Sequence, residues 1–310
     1  MTFARKNEDG QAVVLMVLAL VVLLGMCAMV LDVGSWYRTQ RRLQGTADAA
    51  ALAGAQQLPD TPGAAQTMAL SYANQNGGNV LGADITVGTL YQANDIIDVT
   101  AKKTDSGFFS SVLGIVNANI STTARARVGP PAQAQYVAPM VVYCDHPLIH
   151  NCNGGNVPTF GQPTHMDLDN MGAPGAFGML DLSNSGGNTG SSTLGSWILN
   201  GYNQYLPLGQ YDSDPGAKFS SQNVQSALDA RIGTVLLFPV FKTLDLQGSN
   251  AEYQIIAWIG FHLNSWSQNG NNATLDGYFT EYIAHGILAT GGNGGAPSSS
   301  FGVKSIQLIK

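Results

Sequence analysis

Residues 12–31 read AVVLMVLALVVLLGMCAMVL, twenty positions without one charged or strongly polar side chain. As a helix rising 1.5 Å per residue they cover about 30 Å, the thickness of a bilayer's hydrocarbon core. A single transmembrane helix is the expectation. A buried core helix rarely stays apolar for this long, and the apolar part of a cleaved secretory signal usually runs only about 7 to 15 residues. Cys27, inside the run, reads as an apolar packing residue. Arg5 and Lys6, opposed by Glu8 and Asp9, precede the run, and Arg38, Arg41 and Arg42 follow it. Counting basic residues would place the long C-terminal part inside. Its sparse charge, its Asn, Gly and Ser content and two close cysteines suit an exported region instead, so charge counting leaves the topology open.

The helix is expected to continue past the membrane. Between 35 and 58, Trp36, Gln40, Leu43, Ala47, Ala50, Ala51, Gly54 and Leu58 recur near a 3.6 period, and Pro59 closes the run. Small side chains on that face would let a second helix or a sheet approach closely. Arg38, Arg41 and Arg42 can snorkel to lipid headgroups while Trp36 and Tyr37 anchor the interface. Gly34 and Gly45 are positions where a bend can form.

These residues resemble a known family. Gly10-Gln11-Ala12, the apolar run, Asp32-Val33-Gly34, Tyr37, Arg41-Arg42-Leu43-Gln44 and the Ala-rich stretch beginning Ala47-Asp48 look like the N-terminal module of TadE/TadG-like proteins of the tight-adherence (Flp pilus) assembly system. The resemblance is dense over about residues 8–58. It implies a cytoplasmic N-terminus, an exported C-terminal part, and partners among the other pilus assembly proteins besides the lipid bilayer itself. One departure stands out: cleavage after Gly10 would put Leu15 at the fifth mature position, where pilin-like precursors carry Glu. An uncleaved anchor is therefore expected, and the bulk filament subunit is disfavoured, since an intramembrane Glu is costly unless it is paired.

Beyond the stem, 64–74 reads as a short helix, 83–90 and 96–102 as strands, 108–113 as an apolar turn or helix, and 117–128 as a strand. In that last strand Ala118, Ile120, Thr122, Ala124, Ala126 and Val128 share one face, with Arg125 and Arg127 on the other. This order makes a small α+β layer over 59–129 that the stem (within 1–58) can cover. Gly129-Pro130-Pro131 opens a stiff extended linker over 130–139. A mainly antiparallel, β-rich module over 140–310 follows, with strands at 141–144, 234–242, 253–263, 277–288 and 303–309. Helices are expected at 193–199 and at 223–232, the latter capped by Ser221 or Asn223, with a polar hairpin turn at 268–272. The fold class is thus α+β. Pro158-Thr159-Phe160-Gly161, the stretch from Gly175 to Leu182, Trp197, Arg231 and Phe238-Pro239-Val240-Phe241 also resemble the C-terminal part of some TadG-like proteins. That likeness adds nothing about catalysis.

Composition narrows the function classes. Net charge is −6, and beyond residue 42 there are 9 basic against 17 acidic side chains, a net of −8, so no basic stripe exists to neutralise the phosphates of a nucleic acid. Cys144, His146, His150 and Cys152 form a Cys-x-His-x-x-x-His-x-Cys set that could ligate zinc, but in an exported module Cys144 and Cys152 are better read as a disulfide. Asp167, Asp169 and Asn170, with Asp181 nearby, offer oxygens to calcium without matching a calcium loop; turn and cap carboxylates are the simpler reading. Glycine clusters at 154–155, 186–187 and 291–295 lack any phosphate-loop lysine and read as loops. His262 and His285 lie on expected strands without a nucleophile elbow or a zinc helix, and the acid pairs Asp212/Asp214 and Glu252/Asp276 could face a sugar only in a pocket that the sequence does not show. The expectation is a non-catalytic, membrane-anchored structural or assembly component without cofactor. A cell-surface adhesin or glycan-binding module is the alternative, and an extracytoplasmic hydrolase a distant third.

Overall fold

The computed structural model describes residues 9–110, 117–153, 156–168, 178–186, 189–214, 218–245, 251–269, 272–289 and 301–309. The expected loops at 154–155 and 291–295, Gly187, Asp169, Asn170 and the stretch from Gly175 to Phe177 lie outside those residues. Two compact units are present, Met1–Arg127 with Leu308–Lys310, and Val128–Gln307.

The first unit is built on α1 (Asp9–Ala55), an unbroken helix that contains both the apolar run and the stem and passes through Gly34 and Gly45 without interruption. Apart from the half-exposed Ala28, the side chains of 12–31 are exposed all round, whereas from Leu43 onward one face is buried. The change follows the sequence, because an all-apolar cylinder has no inward side, while the Ala-rich stem has one narrow stripe. Helix α2 (Pro62–Gln75), with proline in its first turn, packs Ala65, Ala69 and Ala73 against that stripe. Gly54 marks the closest approach: a Cβ there would lie 2.6 Å from Ile97 Cδ1 and 2.9 Å from the Ala65 carbonyl oxygen. Gln40, expected on the packing face, is exposed instead, because that face begins only at Leu43.

Strands β1 (Ile85–Gly88), β2 (Ile96–Ser106) and β3 (Asn117–Gly129) follow, with β1 antiparallel to β2 and β2 to β3, whose register pairs Ile96 with Arg127 and Ser106 with Asn117. Ile97, Val99 and Ala101 turn inward on β2, and Thr122, Ala124, Ala126 and Val128 on β3 are buried as the alternation requires. Arg127, on the opposite face of β3, is nonetheless buried: its guanidinium carbon lies 4.1 Å from the centre of the Tyr91 ring, and its Nε is 3.5 Å from the buried Asp95. Asp95 in turn accepts the backbone N–H groups of Leu90, Tyr91 and Gln92.

The second unit is mostly antiparallel sheet. Residues 130–139, read from the sequence as an extended linker, contain β4 (Pro131–Ala134), and Val137 and Ala138 are buried. The main sheet has the order β5 (Val142–Tyr143), β9 (Val235–Asp245), β10 (Glu252–Asn269), β11 (Asn272–Thr280), β6 (Pro163–Asp167). Only the β5–β9 pair is parallel, and β8 (Gly209–Asp212) pairs with the start of β10. Helices α3 (Ser191–Asn200) and α4 (Gln222–Arg231) bury Leu194, Ile198, Val224 and Leu228 in a core with Phe238, Phe261 and Phe279. Ser221 is the N-cap residue of α4, but its hydroxyl makes no capping bond. A second core holds Phe241, Tyr253 and Trp258. Smaller pairings link β4 with β7 (Leu206–Pro207) and β13 (Gly286–Leu288), and β12 (Tyr282–Ile283) in parallel with β14 (Val303–Ile309). Gly201 ends α3 at φ 74°, and a Cβ there would lie 2.4 Å from the Tyr136 carbonyl oxygen, so the expected Asn-Gly turn needs its glycine twice over.

Candidate functional site

The feature that sets this chain apart from an ordinary α+β domain is the end of the apolar run, and there the structure gathers distant residues. Asp32 follows Leu31 directly and is only 1% exposed. Its carboxylate accepts three backbone N–H groups from a turn 76 to 78 positions away: Phe108 N at 2.7 Å and, on the other oxygen, Phe109 N at 2.9 Å and Ser110 N at 2.6 Å. Successive N–H groups in a tight turn form a concave donor set of positive potential, so the ionised carboxylate is solvated by backbone instead of by water. Gly107 is the residue this arrangement demands. A Cβ there would lie 1.8 Å from Ser110 Oγ and 2.9 Å from Asp32 Oδ2.

One helical turn beyond Asp32 lies Trp36, half-buried, with its indole N–H enclosed and unpartnered. Tyr37, Arg38, Arg41 and Arg42 are exposed, and the Arg41 guanidinium carbon sits 5.8 Å from the centre of the Tyr37 ring. Thr39 donates its hydroxyl to Asp105, which also takes Lys103 Nζ at 2.6 Å. Lys103, then Thr39, hold the Asp105 carboxyl below the ordinary value against the opposing effect of burial, with Arg42 adding to the pull. Farther along, Asp48 accepts the Gln44 side-chain amide at 2.7 Å, and a Cβ on Gly34 would meet nothing within 4 Å. Gly10 and Gln11 lie in the first turn of α1.

The other candidates have ordinary structural occupations. Cys144 and Cys152 form a disulfide with Cα atoms 4.8 Å apart, so neither sulfur is a thiolate that zinc could use. His146 Nδ1 accepts the Leu148 N–H at 3.2 Å while its ring packs edge-on to Phe279, and burial holds this imidazole below its usual pKa despite a hydrogen bond with the His165 backbone. His150 faces Asp145. Asp181, fully buried, is taken up by the N–H and hydroxyl groups of Ser183 and Ser185, an Asx-type turn, and Asp167 accepts the Thr274 hydroxyl. Among the described residues no group of three or more His, Cys, Asp or Glu side chains is arranged to hold a metal.

Glu252 and Asp276 are not brought together. Asp276 pairs with His165 and Ser265, while Glu252 lies opposite Asp212 and Asp245, about 40 Å along β10 from the position of Asp276. Burial pushes the fully buried Asp214 carboxyl up, against the pull of Lys218 at 3.6 Å. His262 stacks on Tyr278 and His285 sits edge-on to Tyr136.

Sequence reasoning singled out Asp32 by its position but missed its partner, the turn Gly107 to Ser110, and missed the tie from Thr39 to Asp105. The 108–113 stretch was legible only as apolar.

Taken together, these features define a class: among the described residues, one apolar helix long enough to cross a membrane, fitting a single-pass topology, that continues as the spine of a small α+β unit. Residues 10–57 match the family model described as "Putative Flp pilus-assembly TadE/G-like", a stretch that nearly coincides with α1. Comparison with curated proteins and with solved structures gave no match.

Proposed function

We propose that this protein is a non-catalytic structural or assembly component of a Flp/tight-adherence pilus system, held in the membrane by residues 12–31, with its N-terminus cytoplasmic and the chain beyond the span extracytoplasmic. The observation that carries the reading is the coincidence of the family match with the anchor and stem: the matched 48 residues are the part that spans, leaves the bilayer and seats the first unit. In this reading Trp36 and Tyr37 lie at the headgroup level and Arg38, Arg41 and Arg42 reach lipid phosphates, since long cationic stems keep their charge in water while lying along apolar surface. The disulfide Cys144–Cys152 fits an oxidising compartment. Retention comes from the span, position from the rigid helix, and interaction surface from the sheets. Partners are the lipid bilayer and other tight-adherence assembly proteins.

Protease shaving of intact cells, followed by mass spectrometry with and without reductant, tests the topology. Peptides from 128–307 should be released, with 144–152 found intact only as a bridged species before reduction. Co-purification of the full chain from detergent-solubilised membranes should bring down tight-adherence components. Protection of residues 128–307 from external protease, or deletion of the protein with pilus assembly and adherence unchanged, would overturn the assignment.

A further inference from the structure

The β2–β3 hairpin lies along the stem in the opposite direction. Ile97 meets Gly54, Asp105 is bonded to Thr39, and the turn after β2 is bonded to Asp32. From Ile97 to Asp105 is about 26 Å of strand, and from Gly54 back to Thr39 about 22 Å of helix, so the two elements run nearly in step. The hairpin tip is therefore delivered to the residue at which the apolar run ends. At that tip Phe108 is 77% exposed and Phe109 46% exposed. Two adjacent phenylalanines left open on a surface mark a contact with something apolar.

Height decides what that contact is. Asp32 is one position from Leu31, so the N–H groups it holds fix Phe108 and Phe109 at the edge of the hydrocarbon layer. Arg38, Arg41 and Arg42 sit about 9 to 15 Å farther up the stem, at the depth of the headgroups and the water above them. The chain from Gly107 to Val116 carries no charged residue. Among the described residues the charge at this depth is the Asp32 carboxylate, which is enclosed by backbone donors and does not need water. Aromatic side chains at the boundary between headgroups and acyl chains are a usual means of holding a segment in that layer.

We propose that Phe108 and Phe109 form a second membrane contact, inserted into the acyl-chain boundary of the leaflet from which the stem emerges, with Asp32 as the bracket that holds them there. This rests on the reading of 12–31 as a bilayer span. The first unit is then attached to the membrane at two points, which fixes the rotation of the stem about its axis as well as its depth.

The test uses the full chain in phosphatidylcholine liposomes, with an environment-sensitive fluorophore on single cysteines; Cys144 and Cys152 are bonded and do not react. The native Cys27 reports on the span. F108C in a Cys27→Ala background reports on the tip, and Ser71→Cys in the same background, on the exposed face of α2, reports on water. With nitroxide lipids carrying the quencher near the headgroup, the F108C label should be quenched at least about twofold more than with the quencher near the terminal methyl, and its emission should be blue-shifted. The Cys27 label, about 8 Å deeper than Asp32, should be quenched by both lipids with its ratio shifted toward the deeper quencher relative to the F108C label, and the Ser71→Cys label should show no quenching. A quenched Cys27 label with an F108C label as unquenched as that on Ser71→Cys overturns the proposal and leaves the span standing, the result expected if the phenylalanines dock on another protein. An unquenched Cys27 label removes the span and the proposal with it.

Discussion

At the scale of single residues, Asp32 is the point on which the membrane end of the stem turns. The sequence marks it clearly, as the first charge after twenty apolar positions, but it cannot show what the carboxylate binds. Its donors are 76 to 78 residues away and are backbone groups, which leave no side-chain signature. Gly107 is the nearest thing to a local clue, and a lone glycine before two phenylalanines reads equally well as a loop residue. The same limit applied to His146, whose type and spacing allowed a zinc ligand but favoured an ordinary loop residue, and whose ring is bonded to the Leu148 N–H and packed on Phe279, partners the sequence could not show. Asp32→Ala should therefore release the turn without unfolding the core at Leu43 and beyond. Three backbone N–H groups, that of Ser110 buried and the other two partly so, would lose their acceptor, a cost of at most about 1–3 kcal/mol for each group left unsatisfied, and the turn would move away to find water. Hydrogen exchange should show the amides of Phe108, Phe109 and Ser110 losing protection while those of Ile97 and Val99 keep theirs; unchanged protection at 108–110 would refute the bracket.

Among the elements, the long helix was the most legible, because two signals agreed: an apolar run of bilayer length, and beyond it a 3.6-period stripe closed by a proline. The alanine face anticipated close approach by a helix or a sheet, and the first unit has both, α2 and β2 meeting at Gly54. Strands with apolar alternation, such as β2 and β3, were readable for the same reason, and β9 was readable as a continuous apolar run. Short edge pieces were not: β6 is Pro-Thr-His-Met-Asp and β7 only Leu-Pro, and their place is set by the partner strand, not by any pattern of their own. Residues 130–139 read as a linker because proline and small residues predominate, yet β13 supplies a partner for β4. Gly54→Val tests the helix–sheet junction. The added side chain must displace the Ala65 backbone or the Ile97 side chain, and overpacking of this kind costs about 1–3 kcal/mol. Thermal unfolding followed by exchange of the β2 amides should report a loss of that size in the first unit; a neutral effect would mean that the stem does not pack as tightly as the 2.6 Å approach requires.

For the molecule as a whole, the cores of the two units lie in different residues, one in the stem, α2 and the first sheet, the other around Phe238, Phe261 and Phe279. Few charges are available to bind either unit together, since only 11% of the chain is Asp, Glu, Lys or Arg. Stability must then come from apolar burial and, in the second unit, from the covalent bridge. The bridge was legible from two cysteines eight positions apart in a chain with the traits of an exported protein, whereas the sheet beside the loop it closes was only partly so. Closing a loop of about nine residues removes enough freedom from the unfolded chain to contribute about 2–3 kcal/mol on the loop-entropy account. Cys144→Ala with Cys152→Ala should lower the stability of the second unit by about that amount, read as faster exchange at β9 and β10, with β2 and β3 unmoved. Cys144 is fully buried, so its truncation also leaves a small cavity; treating the unaltered chain with reductant separates the two effects, since reduction breaks the bridge and keeps the sulfur atoms. If reduction alone reproduces the loss in β9 and β10, the bridge is what holds them. Should β2 and β3 loosen to the same extent, the chain unfolds as one cooperative body and the division at Arg127 does not describe its energetics.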